Sequence, residues 1–118
     1  LEQVCAALRA DGSDWAATEL ATLGTKSPLS CKVSLRLLAE GATRRSFTDE
    51  MTAEYALASR VVRTHDFREG VRALLIDKDN EPKWDPPTPE AVSVEMLDAL
   101  FAPLPENDRW TPFPETGQ

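Results

Sequence analysis

The chain has 118 residues, a formal net charge of −7 and 42% hydrophobic residues, the size and balance of one globular unit with a modest core. A negative balance argues against a nucleic-acid partner, since phosphate backbones demand a basic face, and no apolar run is long enough to span a bilayer. The opening Leu1-Glu2-Gln3-Val4 carries no signal-peptide pattern, which leaves the cytoplasm as the expected location, and the non-methionine start suggests that the chain begins inside a longer polypeptide.

In chain order, Leu1, Val4, Cys5 and Leu8 follow helical spacing and Gly12 ends that helix. Ser13 is an N-cap for a second short helix, with Trp15, Leu20 and Leu23 apolar and Gly24 at its close. Ser27-Pro28 is a strong third start, because proline at the first helical position loses no hydrogen bond and has its φ preset. This helix runs to about Gly41 and is apolar on two rows, Leu29, Val33, Leu37 and Cys31, Leu35, Leu38, so it is expected to be sandwiched. Lys32 and Arg36 share one edge, which points to solvent, with a phosphate contact as the alternative.

Thr48 is expected to begin the longest helix, with Asp49 and Glu50 at its positive end and a buried row of Met51, Tyr55, Ala58 and Val62 widened by Leu57 and Val61. The single histidine, His65, ends it. Asp66 and Glu69 then form a capping box for a helix carrying Phe67, Val71, Leu74 and Leu75, with Lys78 in its last turn. Gly70 in its interior marks the close approach of another backbone, or else of a ligand. Prolines make 80–89 an extended connector that Trp84 anchors on the helical body, and a last helix capped by Thr88 or Ser93 carries Val92, Met96, Leu97, Leu100 and Phe101. The body is thus 1–102, and 103–118 reads as a flexible Pro-rich tail, with Trp110 and Phe113 as aromatics able to dock.

Cys5 and Cys31 belong to no CxxC-like pattern, so they are expected to be buried free thiols, and no metal site is expected. His65 has no serine or cysteine beside it in a nucleophile motif, and a structural role, donating to a nearby carbonyl, is the expectation. Residues 26–83 hold eleven of the thirteen Lys and Arg. Such a middle can meet phosphates, although a solvated mixed-charge surface gives the same pattern.

The run 65–84, with Glu69, Gly70, Ala73, Lys78, Pro82 and Trp84 as its fixed points, resembles a segment near the C-terminus of the crotonase (enoyl-CoA hydratase) superfamily. There Glu-Gly-x-x-Ala leads to a basic residue and a Pro-x-aromatic end. His65-Asp66-Phe67 in front and Leu75-Ile76-Asp77-Lys78-Asp79 behind are similar to the 3-hydroxyisobutyryl-CoA hydrolase branch, as are Lys26-Ser27-Pro28, Ser30-Cys31-Lys32-Val33, Leu35-Arg36 and Glu54-Tyr55 before Ser59. The resemblance spans residues 1–101.

This resemblance implies an all-α chain that forms the helical C-terminal region of a crotonase-type α/β fold, without its N-terminal core. The parent is implied to be a thioester hydrolase of valine catabolism that takes an acyl-CoA as substrate and needs no cofactor. A hydratase or isomerase of the same superfamily, or a non-catalytic helical interaction module, is the alternative. No catalytic residue carries over, because the family's carboxylates and oxyanion hole lie in the core, and the chain alone is expected to be inactive. Lys78 corresponds to a CoA-binding position, and His65 and Phe67 to lining of the acyl pocket. The implied partners are the acyl-CoA, the missing core and further copies of the chain.

Overall fold

The computed structural model describes residues 1–110. Among them the chain is all-α: α1 (Glu2–Asp11), α2 (Asp14–Leu23), α3 (Pro28–Gly41), α4 (Phe47–Val61), α5 (His65–Val71) and α6 (Val94–Phe101), with short 3₁₀ turns at Pro89–Ala91 and Glu106–Asp108.

Local capping explains most of these boundaries. Ser13, Ser27 and Ser93 each accept a backbone N–H from three residues on, at 3.1, 3.1 and 3.2 Å, as their positions in the sequence predict. Gly12 closes α1 at φ 71°, a conformation that costs glycine nothing. Two starts differ from expectation. Helix α4 begins one residue before Thr48, because Ser46 caps the N–H of Asp49 at 3.1 Å. Helix α5 is capped by Thr64, which accepts from Phe67 at 3.3 Å, rather than by Asp66. His65 therefore opens α5 instead of ending α4, and Glu69 is drawn to Arg72 rather than back to the helix start.

The helices pack loosely. Helix α1 lies against α2, α4 against α6, and α3 touches both α6 and the Pro89–Ala91 turn. Among the described residues the buried apolar side chains are Ala16, Pro28, Val33, Leu57, Ala73, Pro86 and Val92, and no large side chain is fully enclosed. The radius of gyration is 17.0 Å, against about 13 Å for a compact domain of this length. Of the two rows on α3, Val33 is buried and Leu29, Cys31 and Leu37 are half-covered, whereas Leu35 and Leu38 stay exposed. The sandwich expected of α3 is only half built within this chain. Of the row expected to be buried on α4, Tyr55 (42%), Ala58 and Val62 are exposed and Met51 is half-covered; of the residues expected to widen it, Leu57 is buried and Val61 half-covered.

Charged side chains fasten what the thin core leaves loose. Lys32 meets Glu2 at 2.7 Å and Arg36 meets Asp98 at 2.7 Å while lying over the Phe101 ring at 4.5 Å. The edge expected to face solvent thus ties α3 to α1 and α6. Arg60 donates to the carbonyls of Ala102 and Pro103 at 3.2 and 3.0 Å, satisfying groups that the end of α6 leaves free. Trp110, one of the two tail aromatics, lies against Tyr55 with ring centroids 5.4 Å apart. The other, Phe113, falls outside the described residues.

Candidate functional site

The residues singled out in the sequence all stand on α5 or just beyond it. What holds α5 is Asp66, a carboxylate only 3% exposed. Its oxygens accept from the Ser27 hydroxyl, from the Asp85 N–H at 2.8 Å, and contact His65 Nδ1 at 2.9 Å. Ser27 also caps α3, so one buried acid joins the starts of α3 and α5 to the proline connector. Two donors, the Ser27 hydroxyl and the Asp85 N–H, and the positive end of α5 together offset the cost of burying the carboxylate. The carbonyl expected as the partner of His65 is this carboxylate instead. Sequence reasoning missed the hub: its donors lie 39 and 19 residues from Asp66, and the only local signal was an acid beside a helix start.

Gly70 explains the fit of the connector. A Cβ there would stand 3.4 Å from the Trp84 ring, and the Trp84 indole N–H donates to the Thr25 carbonyl at 3.0 Å. The close approach at Gly70 is thus made by a side chain rather than by the backbone or ligand expected there, and Trp84 anchors the connector as anticipated.

Past Val71 the helix widens into a π turn over Arg72–Ile76, closed by the Asp77 N–H on the Arg72 carbonyl at 2.8 Å. The wider turn sets Leu74, Leu75 and Ile76 outward, and with Phe67 they form an exposed apolar ridge; Leu75 and Ile76 are 68% and 69% exposed. Lys78 does not complete the last helical turn as expected. It follows the turn at φ 55°, a left-handed conformation that a lysine adopts at some cost.

Electrostatics at this end centre on Arg72. Its guanidinium meets Glu69 at 2.6 Å, Asp77 at 2.9 Å and Asp79 at 2.7 Å. The arginine holds the Glu69 carboxyl at about 2, with help from the Lys83 N–H, and it lowers Asp79 as well. These acids raise Arg72 in turn. With three carboxylates committed to Arg72, Lys78 makes no ion pair among the described residues and is exposed.

His65 and Phe67 are about half exposed at the first turn of α5, and Lys78 lies past the other end, beyond the π turn. The structure therefore does not bring the three together. None of them lines the cavity of about 310 Å³ between α3, α4 and the Leu104–Trp110 segment. No group of three or more potential metal ligands is present among the described residues.

Residues 1–101 match the family model described as enoyl-CoA hydratase/isomerase. The chain belongs to this family. Its curated relatives include the "3-hydroxyisobutyryl-CoA hydrolase, mitochondrial" of Gallus gallus, 47% identical over 92% of this chain, and that of Homo sapiens, 41% identical over the same share. The chain spans 28% of the length of these relatives. Among solved structures it is similar to a carnitinyl-CoA dehydratase from Mycobacterium thermoresistibile, with 34% identity and a TM-score of 0.79. It is also similar to an enoyl-CoA hydratase from Rhodobacter sphaeroides 2.4.1, with 36% identity and a TM-score of 0.77. Each alignment covers 85% of this chain and, respectively, 28% and 30% of the other. The all-α architecture is that of a helical portion of the crotonase-type fold, as the sequence resemblance implied. No described helix is long and apolar enough to cross a membrane.

Proposed function

We propose that this chain is the C-terminal helical part of an acyl-CoA thioester hydrolase of the 3-hydroxyisobutyryl-CoA hydrolase kind. The observation that carries the reading is the exposed ridge of Phe67, Leu74, Leu75 and Ile76 on a helix otherwise held rigidly by buried hydrogen bonds. An apolar surface so placed needs a cover. In this reading the parent's β/α core supplies it, together with the carboxylates and oxyanion donors of the reaction. His65 and Phe67 then line the acyl end of the site and Lys78 meets the nucleotide phosphates. The left-handed backbone at Lys78 and the absence of an ion pair to it among the described residues support that role. A second copy of the parent is the proposed cover for Leu35 and Leu38 on α3.

The sequence similarity at 47% identity favours hydrolysis. A hydratase or isomerase activity is the second reading, favoured by the likeness to a dehydratase and a hydratase of known structure. Both are assayed on the intact parent: free-thiol release from 3-hydroxyisobutyryl-CoA marks the hydrolase, and loss of enoyl absorbance from an unsaturated acyl-CoA without thiol release marks the hydratase. We place the parent in the cytoplasm; the curated relatives carry "mitochondrial" in their names, and imaging of the tagged parent in its own cells decides the compartment.

A further inference from the structure

Cys5 on α1 and Cys31 on α3 are far apart in sequence, yet they share the wall of one cavity of about 240 Å³, with Leu1, Leu23, Lys26 and Pro28 around them. The helices are fastened beside them. Lys32, the next residue after Cys31, meets Glu2 at 2.7 Å, and Glu2 precedes Cys5 by one helical turn on the same face. Both thiols are free, as the sequence suggested, but half-buried where it suggested burial. A small reagent therefore has access to each. Burial raises the Cys31 thiol above its ordinary value, and the neighbouring Cys5 adds to the rise, as two sulfurs in one site require.

We propose that Cys5 and Cys31 are a reversible redox pair, which a small-molecule disulfide such as oxidised glutathione joins into a bond between α1 and α3. One cysteine thiolate attacks a sulfur of oxidised glutathione, forming a mixed disulfide and releasing one glutathione thiolate. The other cysteine thiolate then attacks the protein sulfur of that mixed disulfide, the Cys5–Cys31 bond forms, and the second glutathione leaves. The protein loses two electrons and two protons, which end on the two reduced glutathiones. A thin core makes such a bond consequential, because it holds α1 where the packing alone holds it weakly. The inference stands apart from the acyl-CoA reading.

The test is peptide mapping of the intact protein after incubation with oxidised glutathione, alkylation and tryptic digestion without reductant. The expected product is the peptide ending at Arg9 linked to Ser27–Lys32, lighter by two hydrogens than the sum of the two. Dithiothreitol removes it, and it is absent from Cys5→Ser and Cys31→Ser. Formation quickens as pH rises, since the thiolate is the attacking species. In concentrated urea the yield falls by about tenfold or more, because the effective concentration set by the fold is lost. Two separately alkylated cysteines, or two separate glutathione adducts, in the native protein would overturn the proposal, as would equal linkage in urea.

Discussion

Replacing Asp66 with alanine removes at one stroke the acceptor used by the Ser27 hydroxyl, the Asp85 N–H and His65. Asp66 is 3% exposed and Ser27 4%, so the hydroxyl loses its partner where water has little access, and the part-buried Asp85 amide loses its own, at about 1–3 kcal/mol each with the amide at the lower end. His65 is half exposed and turns to water at little cost. The expected loss is about 2–5 kcal/mol, a large share of the stability of any small domain. Asp66→Asn keeps the shape and one acceptor oxygen, and is expected to lose about 1–2 kcal/mol. Ser27→Ala removes the α3 cap as well as the hub contact, at about 1 kcal/mol for the cap alone. Urea unfolding followed by circular dichroism measures each variant, and the double mutant should show a coupling of about 1 kcal/mol or more. If Asp66→Ala changes stability by less than about 0.5 kcal/mol, or if the two mutations simply add, the carboxylate is not the hub that joins α3, α5 and the connector.

At Gly70, alanine puts a methyl in ordinary contact with the Trp84 ring and gains about 1 kcal/mol of helix propensity, so it should be neutral or stabilising. Gly70→Leu should displace the ring and shift the Trp84 indole N–H resonance as its bond to Thr25 is lost. In acid, Glu69 titrates at about 2 in the folded chain against 4.5 ordinarily, so the unfolded state binds the proton first. Its contribution is whole above pH 4.5 and drains as pH falls toward 2; an acid titration of the unfolding midpoint should flatten in Glu69→Gln. Lys78→Ala in the intact parent should raise the KM for acyl-CoA about fivefold at low salt and less at high salt, with turnover unchanged. An unchanged KM at low salt takes Lys78 out of the site.

The parts of this fold that are legible in the sequence are those set by short-range chemistry. Ser13, Ser27 and Ser93 announce helix starts because an N-cap needs only its own next three residues. Asp66 misleads by the same rule: it is a good cap by type, but Thr64 takes that place, and the partners that draw Asp66 inward come from remote segments that no spacing rule reveals. Tyr55 and Val62 show the complementary failure, since periodicity marks an apolar face without saying whether this chain or another covers it. No residue pattern announced the π turn at Arg72–Ile76, which the sequence reads as ordinary helix. The functional reading came from another source, the match of Glu69, Gly70, Lys78 and Trp84 to a known family pattern. Composition and spacing alone would have stopped at a helical body with uncovered faces.

Whether these helices complete an acyl-CoA enzyme is tested most directly by free-thiol release from 3-hydroxyisobutyryl-CoA, measured for this chain alone, for the separately expressed N-terminal core of its parent, and for the mixture. Thioester cleavage needs oxyanion donors, and the loss of even one costs about 100-fold to 1,000-fold in rate. The account predicts no release above background from the chain alone and restored release from the mixture. Release from the chain alone, abolished by His65→Ala, would contradict it.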